Sequence, residues 1–283
     1  MTKVLVTGAS GQLGRCFQKL EKQFPQLEFT FAGSAEFDVT MFGLTGVYFR
    51  KNQFDYCINC AAYTQVEKAE TDREMAYLIN AGAVKNLAEI CKAHQTTLIH
   101  FSTDYVFDGR KKEPYSEEDQ TNPLNVYGAS KLTGEDCVQE IMDNYFIFRT
   151  SWLYSEFGNN FYNTIRKRAK KGEIFKITGS QKGTPTNAND LALFVLQLIA
   201  AKEENYGLYH YSNLGEATWY DFAKEILKLS GKLEEVELIE DNDYKTMALR
   251  PENSVLSKEK VLKAFQPKIL SWQESLAKLC SGI

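Results

Sequence analysis

The sequence has no apolar run long enough to cross a bilayer. The longest, residues 192–201, is interrupted by Gln197 and falls far short of the roughly 20 residues a spanning helix needs. Charge of either sign is not in excess. The 33 basic and 37 acidic residues leave a net −4, which argues against bulk nucleic-acid binding and leaves small anionic ligands open. No basic-then-apolar leader comes before the first strand-like run, so a cytoplasmic protein without a membrane partner is expected. Tandem repeats and low-complexity tails are missing. The six cysteines sit mostly within apolar runs, the pattern of reduced, buried thiols. Cys57 and Cys60 have CxxC spacing, but they fall on a strand-like run, where residues three apart point to opposite faces. That argues against the pair as a redox or metal motif.

What is present is an alternation of strand-like and helix-like runs through the first two thirds, the pattern of βα units on a parallel sheet. The length of 283 residues suits one large α/β domain with a smaller lobe. The chain is organised around Gly8-Ala9-Ser10-Gly11-Gln12-Leu13-Gly14, between the apolar run Val4-Leu5-Val6 and a helical pattern over residues 13–24. Such a turn holds a dinucleotide pyrophosphate on backbone N–H groups at a helix N-terminus. Gly8 permits the tight turn, Gly11 lets backbone approach phosphate, and Gly14 allows close packing. The spacing is GxxGxxG rather than GxGxxG, so the usual fingerprint is met only approximately.

The second strand is expected near residues 29–33. An acid there would bind the adenosine ribose of NAD and an arginine would favour NADP, yet residues 31–35 carry neither. Asp38 and Val39 are placed near adenine, and the choice between NADH and NADPH stays open. Ala61, Ala62 and Thr64 follow the strand at 54–59, where small residues let a flat cofactor lie close. Asn80 interrupts the helical pattern at 71–93 and reads as a buried hydrogen-bonding residue. The strand at 97–101 ends in Ser102-Thr103-Asp104-Tyr105, polar groups where ligands bind in such sheets. A helix over residues 126–141 carries Tyr127 and Lys131, which share one face. The basic run at 166–171 reads as a solvated face. Residues 181–186 read as a loop, with Asn187 or Asn189 capping the next helix. Residues 1–150 are expected to form the cofactor domain. Residues 151–283 would be mainly a substrate lobe, with some elements returning to the first domain.

Thr103, Tyr127 and Lys131 make a reductive site. A free phenol has a pKa of about 10, and an ammonium with an oxidised nicotinamide nearby would lower it. Thr103 would orient a substrate carbonyl, and Tyr127 would protonate its oxygen as hydride arrives on carbon.

Several segments carry a resemblance. They are residues 7–14, 59–67, Ser102-Thr103-Asp104-Tyr105-Val106-Phe107, Pro123-Leu124-Asn125-Val126-Tyr127-Gly128, Arg149-Thr150-Ser151-Trp152, Gly158-Asn159-Asn160-Phe161 and Arg250-Pro251. In this order the chain resembles the extended short-chain dehydrogenase/reductases and, among them, the dTDP-4-dehydrorhamnose reductase family. The resemblance implies a Rossmann-type doubly wound parallel sheet with a smaller C-terminal substrate-binding lobe. It implies reduction of the 4-keto group of dTDP-4-dehydro-L-rhamnose by NADPH or NADH. Tyr127 would be proton donor, Lys131 its partner and a cofactor-ribose ligand, and Thr103 the carbonyl polariser. Asp104, Tyr105 and Trp152 would contact the sugar, with the indole offering a flat apolar face. Two alternatives remain: an epimerase or dehydratase that regenerates its NAD, and a non-catalytic dinucleotide-binding subunit. Thr103 is followed by a single acid, whereas dehydratases often carry an acidic pair there. Some related enzymes place a metal-binding glutamate directly after the last glycine of the turn. Arg15 stands there instead and cannot coordinate Mg²⁺. A metal-free monomer or weak homodimer is therefore expected.

Overall fold

The computed structural model describes residues 1–243 and 246–282. β1 (Thr2–Thr7), β2 (Leu27–Ala32), β3 (Tyr56–Asn59), β4 (Thr97–Thr103) and β5 (Tyr145–Thr150) form one six-stranded sheet with the strand Gly207–His210. Every pairing is parallel, and the order runs β2-β1-β3-β4-β5 and then Gly207–His210. The order reverses between β1 and β3, so the crevice beyond their carboxyl ends is the ligand position of this topology.

Alternation along β1 sorts its side chains between two cores. Val4 and Val6 join Phe17, Phe148 and Phe194 on one face, while Leu5 joins Leu87, Cys91 and Val138 on the other. Burial on both faces explains the nearly continuous apolar strands. Helices α1 (Gln12–Leu20) and Ala188–Ala201 cover the first face; Ala83–Ala93 and Val126–Ile141 cover the second. Cys57 lies in the second core and Cys60 packs against the first, so the two thiols are on opposite sides of the sheet.

The interruption at Asn80 is a π-helical turn, Leu78–Gly82, just before Ala83–Ala93. Asn80 is buried and spans two elements: its amide bonds the Tyr63 backbone in both directions (2.9 and 3.0 Å) and donates to Ser130 at 3.0 Å. It thereby ties the loop after β3 to the helix carrying Tyr127.

After β5 the helices Phe161–Ala169, Trp219–Leu229 and Trp272–Ser281 enclose a third core around Tyr154, Tyr162, Phe175, Phe222 and Leu276. Ala188–Ala201 and Gly207–His210 belong instead to the large sheet. Asn187 caps the former through the Asn189 N–H. The segment expected as a loop at 181–186 holds the short strand Lys182–Gly183 and the start of Thr186–Asn187. They pair with Ala217–Thr218 and Leu153–Tyr154. Two-residue strands have no periodicity to read, which is why the sequence shows only breakers there.

Candidate active site

The carboxyl ends of β1, β3, β4 and β5 open into a cleft of about 410 Å³ beneath the smaller lobe. Gln12, Ala62, Thr103, Tyr127, Lys131 and Trp152 are among its walls. Gly11, Leu13, Thr64 and Asp104 line it as well. Gly8 has φ +59°, and a Cβ there would come within 2.6 Å of the Ala61 N, so β1 turns directly against the loop after β3. Gly8, Gly14 and Ala61 thus shape the turn from behind. No side chain caps α1, leaving its first N–H groups available at the cleft wall. This uncapped N-terminus, set on a turn that excludes side chains, fits a pyrophosphate.

Asp38 and Val39 do not line this cleft. Asp38 accepts from the Thr40 N–H and hydroxyl (2.9 and 2.7 Å) and borders a separate hollow with Ser34, Glu36 and Tyr48. Val39 is buried in the second core. Residues 31–35 carry no acid, but Glu36 follows directly. The turn after β2 folds back, with the Glu36 and Phe37 N–H groups on the Gly33 carbonyl, and a Glu36 carboxylate oxygen accepts from the Gly33 N–H at 3.0 Å. A carboxylate therefore stands at the end of β2, with the Ser10 side chain nearby.

Thr103 ends β4 and caps the 3₁₀ turn Asp104–Val106. Its hydroxyl accepts from the Tyr105 N–H at 3.2 Å and donates to Asp104 at 3.1 Å. Asp104 is buried, its second carboxylate oxygen has no hydrogen-bond partner, and burial pushes the carboxyl up to about 7. Tyr127 opens the helix Val126–Ile141, capped by the Asn125 side chain on the Gly128 N–H. A Cβ at Gly128 would fall 2.2 Å from the Tyr105 carbonyl, so glycine is what lets this helix dock on the turn. Burial pushes the Tyr127 phenol up to about 12, and the nearby Thr103 hydroxyl opposes the rise. Lys131, the expected source of that opposition, donates to the Phe101 carbonyl and faces His100. Tyr105 is buried behind Tyr127, edge-on at 6.1 Å, rather than in the cleft wall.

Trp152 reaches the cleft, but not as an open platform. Trp219, also in the cleft wall, stacks on it at 3.7 Å and 9°. A Cβ at Gly183 would lie 2.7 Å from the same indole. Trp152 is thus held in a packed stack with Trp219. Asn160 donates to Gln12 at 2.6 Å and joins the lobe to the glycine turn. Glu67 and Arg250, which lay in two of the resembling segments without an expected role, form an ion pair at 2.8 Å. Glu67 also accepts from the Met247 and Ala248 N–H groups. Arg15 lies over the Phe157 ring at 4.3 Å. Among the described residues, no three His, Cys, Asp or Glu side chains cluster as a metal site would require.

The chain as a whole has relatives among known proteins. The family model described as RmlD substrate binding domain matches residues 1–282. The chain belongs to the dTDP-4-dehydrorhamnose reductase family. It is 37% identical over 286 residues to the dTDP-4-dehydrorhamnose reductase of Aggregatibacter actinomycetemcomitans, covering 98% of this chain and 97% of that one. The crystal structure of a dTDP-4-dehydrorhamnose reductase from Clostridium acetobutylicum superposes with a TM-score of 0.92 at 38% identity, over 99% of each chain. That of the Bacillus anthracis reductase, in complex with NADP, gives 0.94 at 34% identity over 100% of this chain and 99% of that one. The chain is thus an oxidoreductase of this family with a Rossmann-type dinucleotide-binding sheet.

Proposed function

We propose that the protein reduces the 4-keto group of dTDP-4-dehydro-L-rhamnose to give dTDP-L-rhamnose. The observation that carries this reading is the convergence of Thr103, Tyr127 and Lys131 on one cleft with the uncapped N-terminus of α1, in a chain related over its full length to reductases of that name. The reduced nicotinamide, when bound, supplies hydride to the carbonyl carbon. The α1 N-terminus and glycine turn bind its pyrophosphate. Thr103 orients the carbonyl oxygen, and Tyr127 gives that oxygen a proton. Burial disfavours the phenolate, so Tyr127 waits in the protonated form that an acid needs. Asp104 and the Trp152–Trp219 stack contact the sugar.

Glu36 favours NADH over NADPH, because its carboxylate suits a ribose hydroxyl and repels a 2′-phosphate. The relative crystallised with NADP supports acceptance of both. With Arg15 against Phe157, the protein works without Mg²⁺, as a monomer or weak homodimer. Purified protein given the ketosugar and NADH tests the reading: stoichiometric NADH oxidation and dTDP-L-rhamnose are expected. Product formed without net cofactor oxidation would make it an epimerase or dehydratase. Cofactor binding with no turnover would make it a binding subunit.

A further inference from the structure

A buried row of polar side chains crosses the sheet below the cleft. Thr7, Asn59 and His100 stand side by side in register on β1, β3 and β4, and Lys131 meets the end of the row. All four are buried, so each hydrogen-bonding group must find its complement. The complements run in one direction only. The Ala61 N–H, a donor without alternative, points at Asn59 Oδ1 (3.2 Å), which also accepts from the Thr7 hydroxyl at 2.7 Å. That places Asn59 Nδ2, another donor, 3.2 Å from His100 Nδ1. Nδ1 must therefore accept, and the ring proton resides on Nε2. Nε2 is 3.3 Å from Lys131 Nζ. An N–H donor thus faces the lysine nitrogen, which a free amine accepts with its lone pair and an ammonium cannot.

We propose that His100, locked by Asn59 in its Nε2–H tautomer, is a positioning residue that favours the free amine of Lys131 over its ammonium. The other groups around Lys131 bound the effect. Glu135, one turn along the helix, favours the ammonium, but its carboxylate is held by Arg149 from β5 at 2.6 Å. Cys60, at the end of β3, has its thiol pushed well up by burial and stays neutral. The Phe101 carbonyl accepts from Lys131 in either state. Tyr127, one turn back, is protonated. Burial brings Lys131 down to about 8 and His100 well below its ordinary range, both in the direction the tautomer requires.

The consequence is a proton supply for Tyr127. After the Tyr127 O–H gives its proton to the substrate oxygen, cleft water carries one from the Lys131 ammonium to the phenolate. A lysine N–H bond breaks, the tyrosine O–H bond forms again, and the new lone pair accepts the His100 Nε2–H. Water at the cleft mouth returns the proton to lysine once product has left. An acid with a pKa near the working pH serves this step best.

The kinetic part rests on the reductase reading; the tautomer does not. Full-length protein labelled with ¹⁵N-histidine contains three histidines, and its NMR spectrum reports each tautomer directly. His100 is expected neutral with the proton on Nε2 from pH 6 to 9, and its Nε2 shift should follow a titration near pH 8. The Nδ1–H tautomer or an imidazolium at pH 7 would overturn the proposal, whether or not the ketosugar is turned over. His100→Gln offers lysine an acceptor and should move the alkaline limb of kcat up by about one pH unit, with NADH affinity retained. Asn59→Asp should transfer the ring proton to Nδ1 in the NMR spectrum. An unchanged limb in folded, NADH-binding His100→Gln protein would contradict the proposal. If that variant does not fold, the wild-type tautomer decides alone.

Discussion

The indole rings of Trp152 and Trp219 lie 3.7 Å apart and 9° from parallel, joining the first residues after β5 to the first turn of the helix Trp219–Leu229. Trp219 is fixed from several sides. Its Nε1 donates to Gln181 at 3.1 Å, Phe161 packs on it at 4.7 Å, and a Thr218–Asp221 capping box starts its helix. Trp152 has φ +47°, a left-handed conformation that packing must hold in place. Trp219→Ala should therefore act through substrate placement. Loss of an aromatic pair, about 0.5–1.5 kcal/mol, should raise KM up to about tenfold and change kcat less. Steady-state kinetics with KM unaltered would remove Trp219 from the site.

Much of this was legible in the sequence because it is local. The glycine turn, the polar end of β4 and the Tyr127–Lys131 spacing each lie within a few residues, and strand and helix periods set their context. The large sheet was legible for the same reason. Trp219 and Glu36 were not. Trp219 reaches the cleft only because the lobe folds its helix start onto Trp152. Glu36 lies just past the window where a ribose-binding acid is sought, and a turn on the Gly33 carbonyl carries it back. His100 reads as one residue of an apolar strand until the register of three strands places Asn59 and Lys131 around it.

Tyr127→Phe removes only the transferable proton. The variant should fold, bind NADH normally and lose roughly 10²–10⁴-fold in kcat. Near-wild-type turnover, measured with the ketosugar at saturation, would assign the proton to another group.

Glu36 predicts a cofactor ratio. NADH should be preferred by about tenfold in kcat/KM, equivalent to ~1.4 kcal/mol, and Glu36→Gln should narrow the ratio through better use of NADPH. A wild-type preference for NADPH, or one beyond about a thousandfold either way, would mean that another group reads the ribose.

Asp104 predicts a pH dependence of stability. Its folded carboxyl is raised from 3.8 to about 7 by burial, so the folded state holds a proton that the unfolded chain has released. Stability from this group is full below about pH 4, falls as pH rises, and is lost above about pH 7. Asp104→Asn should match wild type at pH 4 and exceed it by roughly 2–4 kcal/mol at pH 8. Urea unfolding at the two pH values measures the gap; a gap that does not change with pH would contradict the assignment.

The central claim is that hydride and proton meet on the sugar carbonyl in this cleft. Reduced nicotinamide carrying deuterium at its transferable position, incubated with dTDP-4-dehydro-L-rhamnose and the protein, tests it directly by NMR and mass of the product sugar. One deuterium at C4 of dTDP-L-rhamnose for each cofactor oxidised is the predicted result. Product without deuterium at C4, or deuterium at another carbon, would contradict it.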